Sequence, residues 1–155
     1  MRLDEHELER WGERIGRAVS APVFIGLHGP LGAGKSVLAR AIGRGVGVEE
    51  PMPSPSYNLL LRYRTVAGVD LVHVDLYRIE STDELWELGW SELGQGQEIV
   101  LVEWPERAGD HLPDHRWSIG LSPAAQAADL RDVEVHRIGD PPGLPAFPMS
   151  VSAGP

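Results

Sequence analysis

The chain has no cysteine, a single lysine and no long apolar run. The first absence excludes a disulfide framework, thiolate metal sites and cysteine nucleophiles, and it fits a reducing compartment. The third excludes a membrane-spanning helix, which needs about 18 consecutive apolar residues. The N-terminus, MRLDEHELERWGER, is charged and has no signal-peptide core, so a cytoplasmic protein is expected. Positive charge is scarce as well: 14 Lys+Arg face 23 Asp+Glu, for a formal net charge of −9. That balance argues against a broad basic surface for DNA or RNA, so a nucleic-acid role would be indirect or run through a partner. What is present, 155 residues of which 42% are hydrophobic, suits one domain with a real core and is too apolar for a disordered chain. Thirteen of the basic residues are arginine, so the position of the one lysine, Lys35, carries information.

The apolar pattern divides the chain. Residues 4–19 read as an amphipathic helix, with Leu8, Trp11, Ile15 and Ala18/Val19 recurring every three to four positions. Asp4 followed by Glu7 has the form of a capping box. Val23–Leu27 is a short buried strand leading into a Gly-rich loop, and Val37–Val46 a helix that Gly45 and Gly47 end. Residues 49–56 form a Pro-rich extended loop; 57–64 and 69–75 read as strands joined by a turn at Ala67-Gly68. Ser81–Leu88 is a short helix, 94–97 a turn, and Ile99–Val102 a second central strand. Residues 116–121 and 130–138 alternate as later, more exposed strands, expected as antiparallel additions at one edge. The domain is expected to span 1–138. Residues 139–155, with five Pro and three Gly, read as a disordered tail.

Residues 29–36, Gly-Pro-Leu-Gly-Ala-Gly-Lys-Ser, fit the phosphate-loop pattern G-x-x-x-x-G-K-[ST] without exception. The glycines let the chain wrap so that several backbone N–H groups aim at one phosphate. The helix that follows adds its N-terminal partial charge. Lys35 supplies a mobile cation for the outer phosphates, and the Ser36 hydroxyl can ligate Mg²⁺. The loop follows a strand and opens a helix, the setting this chemistry requires. The expected fold is therefore α/β: a P-loop NTPase-like three-layer fold whose mainly parallel sheet carries antiparallel strands at its edges. The expected nucleotide contacts are Gly29, Leu31, Gly32, Ala33, Gly34, Lys35 and Ser36.

Hydrolysis also needs a metal partner and something to place the nucleophile. Two strands end in an acid, LVHVD at Asp75 and IVLVE at Glu103. If both run parallel to the phosphate-loop strand, both carboxylates lie near the phosphates. Glu103 has the form of a Walker-B acid for Mg²⁺. Asp75 can orient water, stand behind the metal, or pair with Arg78; together with Lys35, these two acids are the candidate catalytic residues. His73 reads as structural. In Ser54-Pro55-Ser56-Tyr57 a hydroxyl, Ser56 ahead of Ser54, can report nucleotide state. Trp104 packs beside the nucleotide or in the core; Arg78 and Arg107 are weaker candidates for phosphate or partner contacts. The six histidines form no zinc-binding spacing.

GPLGAGKS, SPSY, HVDLYR and VEWPER, in this order and spacing, resemble the bacterial TsaE (YjeE-type) ATPases over about residues 4–138. The resemblance implies an ATPase acting in the formation of N6-threonylcarbamoyladenosine in tRNA. It implies Mg²⁺ on Ser36 and Glu103, an ATPase role for Asp75, and a hydroxyl beside the nucleotide at Ser56, where the family carries threonine. It also implies that the start of the first helix approaches adenine, and that the partners are the TsaD and TsaB proteins, whose turnover ATP hydrolysis supports. Trp86 and Trp90 are candidates for docking or for core packing. Two rivals stay open on the residues alone: a small-molecule P-loop kinase with Asp75 as base, and a non-enzymatic ATP-dependent switch. GTP is disfavoured, because an N-K-x-D guanine motif needs a second lysine.

Overall fold

The computed structural model describes residues 1–55 and 59–145. Its elements are β1 (Arg2–Asp4), α1 (Glu5–Ala18), β2 (Val23–His28), α2 (Lys35–Val46), β3 (Leu60–Arg64), β4 (Asp70–Asp75), α3 (Thr82–Glu87), β5 (Glu98–Glu103), β6 (Arg116–Ala124) and β7 (Ala127–Ile138). Two 3-10 segments, Trp90–Glu92 and Pro105–His111, flank β5. No helix among the described residues is long and apolar enough to cross a membrane.

All the strands form one sheet in the order β1-β7-β6-β2-β5-β4-β3. The central β6, β2, β5 and β4 run parallel, while β7, β1 and β3 are antiparallel to their neighbours. The mainly parallel sheet with antiparallel edges is the architecture the sequence led us to expect. One detail is corrected: β6 is no antiparallel addition but pairs parallel with β2, with Ile25 opposite Trp117, and only β7 reverses. Alternation tells which face a residue takes, not which way its strand runs. β1 has no counterpart in the sequence reading.

The two faces hold separate cores. Leu8, Trp11 and Ile15 of α1 and Leu38 and Ile42 of α2 pack with Ile25, Leu71, Ile99 and Leu101 on one face. Phe24, Val72, Val74, Val100 and Val102 meet Leu85, Trp90 and Ala108 on the other. Central strands buried on both sides are apolar at nearly every position, His73 being the exception, which is why IVLV and LVHV read as runs. Asp4 caps α1: its carboxylate accepts from the Glu7 N–H at 2.7 Å while Glu7 accepts from the Asp4 N–H at 2.9 Å, an arrangement worth about 1 kcal/mol.

At the far end, Trp117 Nε1 donates to the Pro142 carbonyl at 2.6 Å and the Asp140 N–H to His115 Nδ1 at 2.8 Å. Contact with the domain therefore continues past residue 138, into a segment whose composition reads as disordered. Residues 146–155 lie outside the described residues.

Candidate nucleotide site

The loop between β2 and α2 turns on glycines. Gly29, Gly32 and Gly34 have φ of 144°, 78° and 105°, values that side chains with a Cβ rarely adopt. At Gly29 space is also closed, since a Cβ would lie 2.2 Å from the Leu121 carbonyl oxygen. α2 then starts at Lys35, with the Leu38 N–H donating to the Gly34 carbonyl at 3.0 Å. The amides of the first turn remain unspent at the mouth of the loop.

Lys35 is buried, 5% exposed, and its Nζ donates to the carbonyls of Gly29 at 2.5 Å and Pro30 at 2.8 Å. Burial pushes its pKa down, against the opposing pull of Glu103, Asp75 and Glu106. Its Nζ lies 4.5 Å from the centre of the Trp104 ring. Trp104 stands at the end of β5 with φ 57° and ψ 48°, a left-handed conformation costing about 1–2 kcal/mol. That turn sets its ring 4.9 Å from the Tyr77 ring and over the Lys35 ammonium.

Strand register brings the acids to the loop. Asp75 pairs with Glu103, and Glu103 with Leu27, so the three strand ends lie level. Side chains alternate along β4 and β5. Val72, Val74, Val100 and Val102 fill one core, so His73, Asp75 and Glu103 take the face of α1 and α2. There the Ser36 hydroxyl donates to the Glu103 carboxylate, 3.1 and 3.3 Å from its two oxygens. His73 Nε2 lies 2.7 Å from Glu103 Oε2. Asp75 Oδ1 accepts from the Tyr77 N–H at 2.9 Å. Burial raises the Asp75 pKa and nearby Glu103 adds to the rise, while the Tyr77 N–H, His73 and Lys35 oppose it.

Lys35, Ser36, Asp75, Glu103 and Trp104 line one cavity of about 280 Å³, together with Gly32, Gly34 and Leu31 of the loop. A hydroxyl and a carboxylate in contact are hard oxygen donors, the set that Mg²⁺ takes. The chemistry of Ser36 and Glu103 thus fits that ion. The cavity and the loop amides fit a phosphorylated ligand.

A family model, the threonylcarbamoyl adenosine biosynthesis protein TsaE, matches residues 3–132.

The chain belongs to the TsaE family.

That is the family the four motifs resemble. It is 32% identical over 112 residues to the tRNA threonylcarbamoyladenosine biosynthesis protein TsaE of Treponema pallidum, covering 72% of this chain and 82% of that one. The protein of the same name from Streptomyces coelicolor is 31% identical over 133 residues, 83% of this chain and 89% of that one. That from Mycobacterium tuberculosis H37Rv is 38% identical over 117 residues, 71% and 70% of the two chains. The crystal structure of Bacillus subtilis YdiB superposes with a TM-score of 0.72 at 23% identity, covering 90% of this chain and 84% of that one, a likeness of fold.

Other expected residues separate. Ser54 lines the cavity, whereas Ser56 lies outside the described residues. Arg107 donates to the Ile79 carbonyl at 3.5 Å and lies 5.9 Å from the Tyr77 ring centre; neither it nor Arg78 lines the cavity. Trp90 is core, its Nε1 donating to the His111 carbonyl at 2.9 Å, while Trp86 is 43% exposed. Glu5, Leu8 and Arg131 line the cavity too. Arg131 escaped sequence reading altogether: its Nε donates to the Ala33 carbonyl at 3.0 Å from a strand 98 positions further along the chain. No local pattern signals such a pairing. Leu8 had a signal only as a core residue of an amphipathic helix.

Proposed function

We propose that the protein is an Mg²⁺-dependent ATPase that supports threonylcarbamoyl modification of tRNA adenosine by binding TsaD- and TsaB-type proteins. One observation carries the catalytic reading. The Ser36 hydroxyl, the Glu103 carboxylate, the Asp75 carboxylate and the Lys35 ammonium line a single cavity at the mouth of a phosphate loop. Bound Mg²⁺ would neutralise phosphate charge there. The loop amides hold the β-phosphate, and Lys35 exchanges its carbonyl partners for outer phosphate oxygens. Glu103 is engaged by Ser36 and His73, which leaves Asp75 to orient the attacking water. Its raised pKa suits an acceptor of the proton that water gives up. The Trp104 ring covers Lys35 and limits its excursions.

Family membership supports the tRNA reading, and the net charge of −9 is compatible with a protein that reaches tRNA through partners. Arg131 lines the cavity but is tied to the Ala33 carbonyl, so turnover alone should be slow. The test combines the purified chain with TsaD- and TsaB-type proteins, ATP and MgCl₂, and follows phosphate release and modified tRNA. Free phosphate that rises when the partners are added supports the reading. Failure to bind ATP, or phosphate transferred to a metabolite, refutes it.

A further inference from the structure

A buried imidazole has two ring nitrogens to satisfy. His73 lies in the interior of β4 with no exposed surface. Its Nε2 is 2.7 Å from Glu103 Oε2, and its Nδ1 has no hydrogen-bond partner among the described residues. An ionised carboxylate only accepts, so Nε2 carries the proton and donates it. The other nitrogen is buried unpaired, which opposes folding. Packing does not require this. Leu71 fills the same face two positions earlier, and the register partner of His73 is Leu101. An apolar side chain would suit that neighbourhood without stranding a nitrogen. What the imidazole contributes is a fixed Glu103. With Oε2 held by His73, the carboxylate also accepts from the Ser36 hydroxyl, 3.1 Å from Oε1 and 3.3 Å from Oε2.

We propose that His73 is a positioning residue whose Nε2–H holds the Glu103 carboxylate in the orientation in which it and Ser36 take up Mg²⁺ with ATP. This rests on the metal site of the proposed function. It gives a positioning part to a histidine that the sequence reads as structural rather than catalytic. The histidine is fully buried and does not line the cavity; it acts through Glu103, as groups behind a metal ligand do.

The test compares amide replacements that share polarity and differ in reach. Glutamine places its amide nitrogen where Nε2 stands; asparagine reaches only as far as Nδ1. Binding of fluorescent mant-ATP is titrated with MgCl₂ for the wild type, His73→Gln, His73→Asn and Ser36→Ala. His73→Asn should need about tenfold more Mg²⁺ for half-maximal binding, and His73→Gln should stay within about threefold of wild type. Binding in EDTA should be equal in all the His73 variants, which a merely structural defect would not leave unchanged. If His73→Asn does not fold, His73→Leu replaces it with the same expected shift. Wild-type Mg²⁺ dependence in the Asn or Leu variant overturns the proposal. So does a Gln variant that shifts as far as Asn or fails to fold. Wild-type binding indifferent to Mg²⁺, or unaltered dependence in Ser36→Ala, overturns the metal site itself and the inference with it.

Discussion

Replacing Gly16 by alanine tests how tightly the wall of the nucleotide cavity is built. α1 supplies Glu5 and Leu8 to that cavity and crosses α2 at small residues. A Cβ on Gly16 would lie 2.2 Å from the Ile42 carbonyl oxygen, 2.7 Å from the Val46 nitrogen and 2.8 Å from the Gly45 carbonyl carbon. These are backbone atoms of a helix, which no rotamer change can move. The contact is reciprocal, for a Cβ on Gly45 would lie 2.2 Å from the Glu13 carbonyl oxygen. Relief requires the contact to open by about 1.3 Å to reach ordinary separation near 3.5 Å. That shift loosens the packing of Trp11 and Ile15 and stretches the Arg44 pairs with Glu9 and Glu13, now 3.4 and 3.1 Å. Overpacking of this kind costs about 3 kcal/mol, the upper part of its usual range. Alanine returns about 1 kcal/mol through helix propensity. The balance is a loss of about 2 kcal/mol, or about 4–8 °C in Tm for a domain of this size. Thermal unfolding followed by circular dichroism reads it, with urea unfolding to check that the m-value is constant. A Tm that rises by a few degrees would mean that propensity governs, and the close helix crossing would be refuted.

Three further outcomes follow from the site. Lys35→Ala should weaken ATP binding by about 10–100-fold, the loss of a hydrogen bond to a charged group; an unchanged Kd by calorimetry would remove Lys35 from the site. Asp75→Asn should abolish hydrolysis and yet raise Tm at pH 7. Burial raises the folded pKa of Asp75, so ionisation in the folded state costs stability as pH rises through that value, and protonation removes the cost. The Asn gain should therefore fade as pH falls, and vanish below about pH 4, where both states of the wild type are protonated. A gain independent of pH would contradict the assignment. Arg131→Ala removes the donor to the Ala33 carbonyl and should lower Tm by about 2–4 °C, for about 1 kcal/mol, and speed release of mant-ATP in stopped flow. Unaltered release would show that Arg131 does not brace the loop.

What the sequence discloses is what is local. The phosphate loop, α2 and the Asp4–Glu7 cap each lie within a dozen residues, and their physics is written in consecutive side chains. β1 is three residues long, and its partner is far away, with Arg2 opposite Asp132; neither length nor alternation can announce it. Trp86 and Trp90 are chemically identical and four apart, yet one lies at the surface and one in the core. The helix that carries Trp86 ends at Glu87 and Trp90 opens a separate 3-10 segment after Gly89, so no helical period relates the two. Arg131 and His73 show a deeper limit. Their parts are set by a carbonyl and a carboxylate delivered by other strands, so only the assembled sheet reveals them.

The charge balance of the cavity explains why so many residues serve one carboxylate. Asp75 and Glu103 stand level on adjacent strands, and Glu106 adds its field at Lys35. Against these acids the cavity offers the Lys35 ammonium, the Arg131 guanidinium, which is tied to the Ala33 carbonyl, and the loop amides. A bare triphosphate entering that field meets like charge at its outer end, and the low local dielectric magnifies the repulsion. A cation that arrives with the nucleotide reverses the sign of the interaction, provided the carboxylate already faces it. An unrestrained glutamate at a strand end would turn to solvent or fold onto Lys35, which would cancel the charge needed for phosphate. In the proposed site, holding Glu103 between Ser36 and His73 would keep it off the lysine, so that the acid and the base of one small cavity stay available for different ligands.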